Sequence, residues 1–101
     1  MRCMEMINLR SLDLGERDHV IGLIGELVPE RVSHLESVKW FTHDQLETDL
    51  SIQLIWEDGE DKEIRPLGQR LIRLLENYGL VSHHMWIESG VLYTANGKEV
   101  V

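Results

Sequence analysis

Leu50-Ser51-Ile52-Gln53-Leu54-Ile55-Trp56 is the stretch on which the reading of this 101-residue chain turns. Leu50, Ile52, Leu54 and Trp56 occupy every second position, and in a β-strand every second side chain points to the same face. The alternation predicts a strand over residues 50–56 with one side buried. A slip of register by one residue would expose all four apolar side chains, so the pairing of this strand is expected to be tight. Its reverse side offers Ser51, Gln53 and Ile55.

On the C-terminal side, residues 57–63 form an acidic segment, best read as a solvated loop since its spacing is not that of an EF-hand. Pro66 follows where a first-turn proline is tolerated. Leu67, Leu71, Leu74, Leu75 and Tyr78 then repeat at helical spacing, and Gly79-Leu80 reads as a left-handed cap with its hydrophobic contact. Residues 81–88 alternate again, Ser89-Gly90 is a turn signal, and residues 91–94 suggest a last short strand.

Before the central strand, residues 35–43 contain the β-forming run Val38-Lys39-Trp40-Phe41-Thr42. Residues 3–12 alternate Glu5, Ile7 and Leu9 against Met4, Met6 and Asn8, a further strand. Asp13 and Glu16 stand three apart like an N-cap and its returning carboxylate. Val20, Leu23, Ile24 and Leu27 form the stripe of the helix that follows, with Pro29 near its end. The Gly22-Leu23-Ile24-Gly25 run matches a Gly-x-x-Gly backbone clamp only in spelling, because its middle residues belong to the apolar stripe.

The order is βαββαβ with an extra C-terminal strand. This predicts an α+β fold of the ferredoxin-like kind, one domain over residues 1–101, with an antiparallel sheet carrying both helices on one face. Hydrophobic residues at 43% and charged residues at 28% suit a folded domain of this size. A net charge of −8 repels polyphosphate backbones and anionic headgroups, which disfavours nucleic acid and membrane partners. Cys3 is the only cysteine, excluding an internal disulfide. No apolar run approaches the roughly 18 residues of a membrane span. The first twenty residues lack the pattern of a secretory signal, and a cytoplasmic location is expected.

With helices on one face, the other face of the sheet would display Ser51, Gln53 and Ile55, joined by Met4, Met6, Asn8, His84 and Trp86. That mixture is too apolar for water and too polar for a core, which suits a second subunit or a ligand. A homodimer is expected, with a small molecule in the cavity between subunits. The ligand-binding candidates are Asn8, Trp40, His84 and Trp86, since an imidazole beside an indole orients a planar ligand and moves a proton near neutral pH. His83 and His84 point to opposite faces and cannot chelate one ion together, so no metal site is expected. No motif calls for a cofactor.

The element order over residues 3–88, with Val38-Lys39-Trp40, residues 49–56 and Leu67-Gly68 through Trp86, resembles the dimeric α+β barrels of the antibiotic biosynthesis monooxygenase group. The resemblance implies sheets facing each other around a cavity and oxygenase-like chemistry without a cofactor. Haem-degrading relatives use an asparagine, a tryptophan and a histidine. Asn8 lies on the matching first strand, but Trp56 and His84 match no local motif, so no catalytic role is carried over.

Two alternatives stand beside this reading. Residues 64–79 and 82–94 resemble the recognition helix and wing of a winged-helix DNA-binding regulator, with Arg65, Arg70 and Arg73 turned to a groove. That requires residues 43–56 to be helical, capped by Thr42 with Gln45 as its partner. The other alternative is a purely structural dimerisation module.

Overall fold

The computed structural model describes residues 2–57 and 65–97. Its elements are β1 (Cys3–Ser11), α1 (Leu14–Leu27), β2 (Leu35–Thr42), β3 (Asp49–Trp56), α2 (Pro66–Leu75) and β4 (Gly79–Ile87). The four strands form one sheet in the order β2-β3-β1-β4, with every neighbouring pair antiparallel. This is the ferredoxin-like α+β arrangement expected from the element order.

The core follows from the parity of the two central strands. Cys3, Ile7 and Leu9 of β1 and Leu50, Ile52, Leu54 and Trp56 of β3 are buried, together with Val20 and Ile24 of α1 and Leu67, Leu71 and Leu75 of α2. Each fully buried aliphatic side chain contributes about 1.5–3 kcal/mol relative to exposure. Helix α1 starts where Asp13 accepts the Glu16 backbone N–H at 2.8 Å, as the cap spacing predicts. Gly22 and Gly25 lie on its exposed side with no atoms nearby.

Helix α2 ends one turn earlier than the Leu71-to-Tyr78 spacing implies. Asn77 turns its side-chain amide back to donate to the carbonyls of Arg73 and Leu74, at 3.0 and 3.3 Å, satisfying acceptors that a left-handed glycine cap would otherwise address. Gly79 is accordingly not in the left-handed region. It opens β4 opposite Ser11, where a Cβ would strike the Arg10 carbonyl. Close strand approach is the reason for glycine here.

Residues 49–56 are a strand, which overturns the winged-helix alternative. Thr42 ends β2 instead of capping a helix, and Gln45 donates its backbone N–H to His43. The supposed wing begins as β4, hydrogen-bonded along β1. Arg65 lies over the Trp56 ring, with its guanidinium carbon 4.4 Å from the ring centroid, and does not face a groove. The C-terminal extended segment closes through one antiparallel bridge, Thr94 to Gly97, outside the four-stranded sheet. Beyond Glu57, the acidic loop lies outside the described residues. Among those described, no helix is long and apolar enough to cross a membrane.

Packing of this kind makes opposite predictions for the two surfaces of the molecule. Ile52→Ala should lower unfolding free energy by about 2–5 kcal/mol. Gly22→Ala and Gly25→Ala should each raise it by about 1 kcal/mol, because the helix gains propensity and the new methyl meets nothing. Urea denaturation followed by circular dichroism checks both signs.

Candidate functional site

Cross-strand partners share a sheet face, so the register defines the surface opposite the helices row by row. Trp86, Met4, Ile55 and Ser37 form one row across the four strands. His84, Met6, Gln53 and Lys39 form the next, followed by Ser82, Asn8, Ser51 and Phe41. Leu80, Arg10 and Asp49 continue the face to its far end. The face is thus apolar at the Trp86 end and polar through its middle.

Three of the four expected ligand residues share this surface. Asn8 is half-buried, while His84 and Trp86 are exposed, Trp86 to 58%. Trp40 does not join them. It pairs with Ile52 and so stands on the helix side of the edge strand β2. The cause is a bulge between Leu35 and Ser37, which adds one residue and inverts the parity of everything after it. Without that residue Trp40 would oppose Ser51. Phe41 takes the place instead and is 46% exposed.

A groove of about 540 Å³ runs over the lower part of this face, lined by Asn8, Ser51, Ser82, Phe41 and Leu80 among others. Asn8 Nδ2 donates to Ser82 Oγ at 3.4 Å, a long contact that leaves the amide adjustable. Ser51 Oγ is buried and has no hydrogen-bond partner among the described residues. At the rim, Arg10 grips Asp49 through two parallel bonds, Nε to Oδ1 at 2.9 Å and Nη2 to Oδ2 at 3.1 Å. Hydrogen bonding from Arg10 holds the Asp49 carboxyl below the usual carboxylate range, and the Arg10 charge adds to this.

On the opposite face the structure adds a cluster that pattern reading did not single out. Glu5 sits among the core side chains of β1 and is fully buried. Its Oε1 accepts from Trp56 Nε1 at 3.2 Å, and its Oε2 accepts from His83 Nε2 at 2.8 Å. The carboxylate lies against Gly68 in the first turn of α2, close enough that any side chain there would collide with it. A carboxylate near a helix N-terminus is favoured by the backbone dipoles. The available signal was a glutamate at the same parity as Ile7 and Leu9; its partners come from strands remote in sequence.

Beside this cluster, Cys3 is buried and donates its thiol to Met85 Sδ at 3.2 Å. Burial pushes the thiol above its ordinary range, with Arg65 opposing and Glu5 reinforcing the shift. Among the described residues, no group of three or more His, Cys, Asp or Glu is arranged to hold a metal ion.

No protein-family model and no curated protein sequence matches the chain. Its fold, however, is that of several solved structures. A mutant form of SnoaB, a cofactor-independent oxygenase from Streptomyces nogalater, superposes with a TM-score of 0.67 at 9% identity, over 90% of this chain and 96% of that one. A candidate antibiotic biosynthesis monooxygenase from Chloroflexus aurantiacus gives 0.65 at 17% identity, over 89% and 95% of the two chains. A conserved protein from Methanosarcina mazei gives 0.67 at 11% identity, over 85% and 91%. The class defined here is therefore a fold: the chain has the ferredoxin-like architecture of antibiotic biosynthesis monooxygenase-type proteins.

Glu5→Ala should destabilise the protein by about 3–5 kcal/mol, because it strands the Trp56 and His83 donors together. Glu5→Gln should cost less, since an oxygen still accepts from Trp56; urea midpoints give the comparison. For the rim pair, Arg10→Ala should move the Asp49 carboxyl titration upward, as read by carbon-detected NMR. The depressed native value means that the pair stabilises the fold above the ordinary carboxylate range and loses that contribution as pH falls through the native value. Native Cys3 should resist iodoacetamide at neutral pH and react on unfolding, as mass spectrometry would show.

Proposed function

We propose that this protein binds a small planar molecule in a cavity closed when two copies pair their open sheet faces. The observation that carries the reading is the face itself. Phe41, Leu80 and Trp86 stand exposed around the half-buried Met4, Met6 and Ile55, and a polar row of Ser82, Asn8 and Ser51 crosses its groove. A lone subunit would leave this apolar surface in water, whereas an isologous pairing covers it twice with one set of contacts.

Fold likeness to a cofactor-independent oxygenase supports oxygenase-like chemistry as the reaction such a cavity would host. The residues suit the first step of that chemistry. His84 supplies an imidazole able to take a proton from an acidic ligand, Trp86 supplies a stacking surface on the same strand, and Asn8 supplies an adjustable amide two rows away. The solution environment expected for this activity is the cytoplasm.

Light scattering at micromolar concentration should give twice the 11.8 kDa chain mass. Trp86→Asp should raise the dissociation constant by at least about 100-fold, a loss of about 2.7 kcal/mol at the contact. Isothermal titration with 2-naphthol as a planar probe should show saturable binding that His84→Ala weakens. A strict monomer that takes up no probe contradicts the proposal, and a dimer whose titration ignores His84→Ala points to a structural pairing module.

A further inference from the structure

The groove's rim is formed in part by the turn that joins β2 to β3, and the first half of that turn is gathered by one side chain. His43 Nδ1 accepts the backbone N–H of Gln45 at 3.1 Å and that of Leu46 at 3.0 Å. An imidazole nitrogen can receive two donors only through its lone pair, so this geometry suits a neutral ring with its proton on Nε2. We propose that His43 is a proton-operated latch that holds the rim of the groove closed while neutral and releases it when protonated.

The two halves of the turn are held differently, and this localises the release. Glu47 accepts from Arg17 Nη1 at 2.8 Å, and Thr48 accepts from Ser11 Oγ at 2.7 Å and Ser11 N at 3.1 Å. These bonds tie the second half to α1 and β1. Asp49 N donates to the Leu46 carbonyl at 2.9 Å, and the His43 backbone pairs with Asp49 at 3.3 Å, closing the base of the turn. The N–H groups of Gln45 and Leu46 are directed to the imidazole.

Protonation at Nδ1 removes the lone pair and sets a third N–H against the two backbone donors. An alternative partner is already in place: Asp44 Oδ1 lies 3.5 Å from Nδ1. The ring thus exchanges two backbone donors for one carboxylate acceptor, a discrete change of partner of the kind that makes a two-state element. Two carboxylates stand near it, Asp44 from the turn and Asp49 from β3, and Asp49 is already engaged by Arg10 of β1 through paired bonds.

The latch stands on the turn's own hydrogen bonds; its consequence for binding rests on the groove being the ligand site. Each is read separately by NMR and titration between about pH 8 and pH 5, the range in which imidazoles ordinarily change charge. In the wild type, the Gln45 and Leu46 amide resonances should shift to higher field in step with protonation of the His43 ring. In His43→Asn the side-chain oxygen accepts the same donors without titrating, so both amides should stay bonded and independent of pH. Amides that stay fixed while the ring protonates, or that titrate in His43→Asn, overturn the latch. For the rim, 2-naphthol should bind the wild type about fivefold more weakly at pH 5 than at pH 8, and His43→Asn should remove the part of that change that persists in His84→Ala. Equal binding at both pH values despite released amides overturns control of the rim. If the probe binds at neither pH, the proposed function fails, and the amide titration still decides the latch.

Discussion

Period-two alternation in the two central strands is the constraint on which this molecule depends. β1 and β3 are paired without interruption from Cys3 opposite Trp56 to Arg10 opposite Asp49. One parity sends Ile7, Leu9, Leu50, Ile52, Leu54 and Trp56 beneath the helices, and the other sends Met4, Met6, Asn8, Ser51, Gln53 and Ile55 to the far side. At about 1.5–3 kcal/mol for each buried side chain, inverting that choice would forfeit an energy comparable to a domain's entire net stability of about 5–15 kcal/mol. The same choice that builds the core therefore creates the second face and fixes what it displays.

Glu5 is the apparent exception to this parity and tightens it further. A carboxylate at a core position is costly unless its acceptors are used, and here Trp56, His83 and the first turn of α2 surround it. Any register that moved β1 would separate the carboxylate from partners on both neighbouring strands and leave it buried without them. Aliphatic contacts tolerate small displacements, but these directional bonds do not. The cluster thus joins three strands and a helix at one point, on the side of the sheet away from the groove.

Much of this is legible in the amino-acid sequence itself. Strand parity at 3–11 and 50–56, the Asp13 cap and the proline-led second helix are local signals, each carried by a few neighbouring residues. The shared face was legible where alternation is clean: that Asn8 of β1 and His84 and Trp86 of β4 stand on one side of the sheet follows from parity and strand pairing. Trp40 was not, because a single bulge residue near Leu35 reverses the face of everything after it, and no local pattern marks the bulge. Gly79 was misread because a glycine after a helix suits both a left-handed turn and a close strand crossing. The partners of Glu5 and the role of His43 depend on contacts that the chain acquires only on folding.

A dry core face and a mixed second face lie on the two sides of one sheet, and the second carries the groove. The Arg10–Asp49 clamp and the His43 turn shape its rim, the row of Ser82, Asn8 and Ser51 supplies its polar floor, and Trp86 stands at the opposite, apolar end of the face. Hydroxyl-radical footprinting across protein concentration tests the central claim most directly, because it reads the second face residue by residue. Oxidation of Met4, Met6 and Trp86 should fall steeply as the concentration rises from nanomolar to tens of micromolar, while Trp40, on the helix side, keeps a constant rate. If all three are oxidised at one rate that does not change with concentration and matches the partial exposure of the lone subunit, the face is open to water and no second copy covers it.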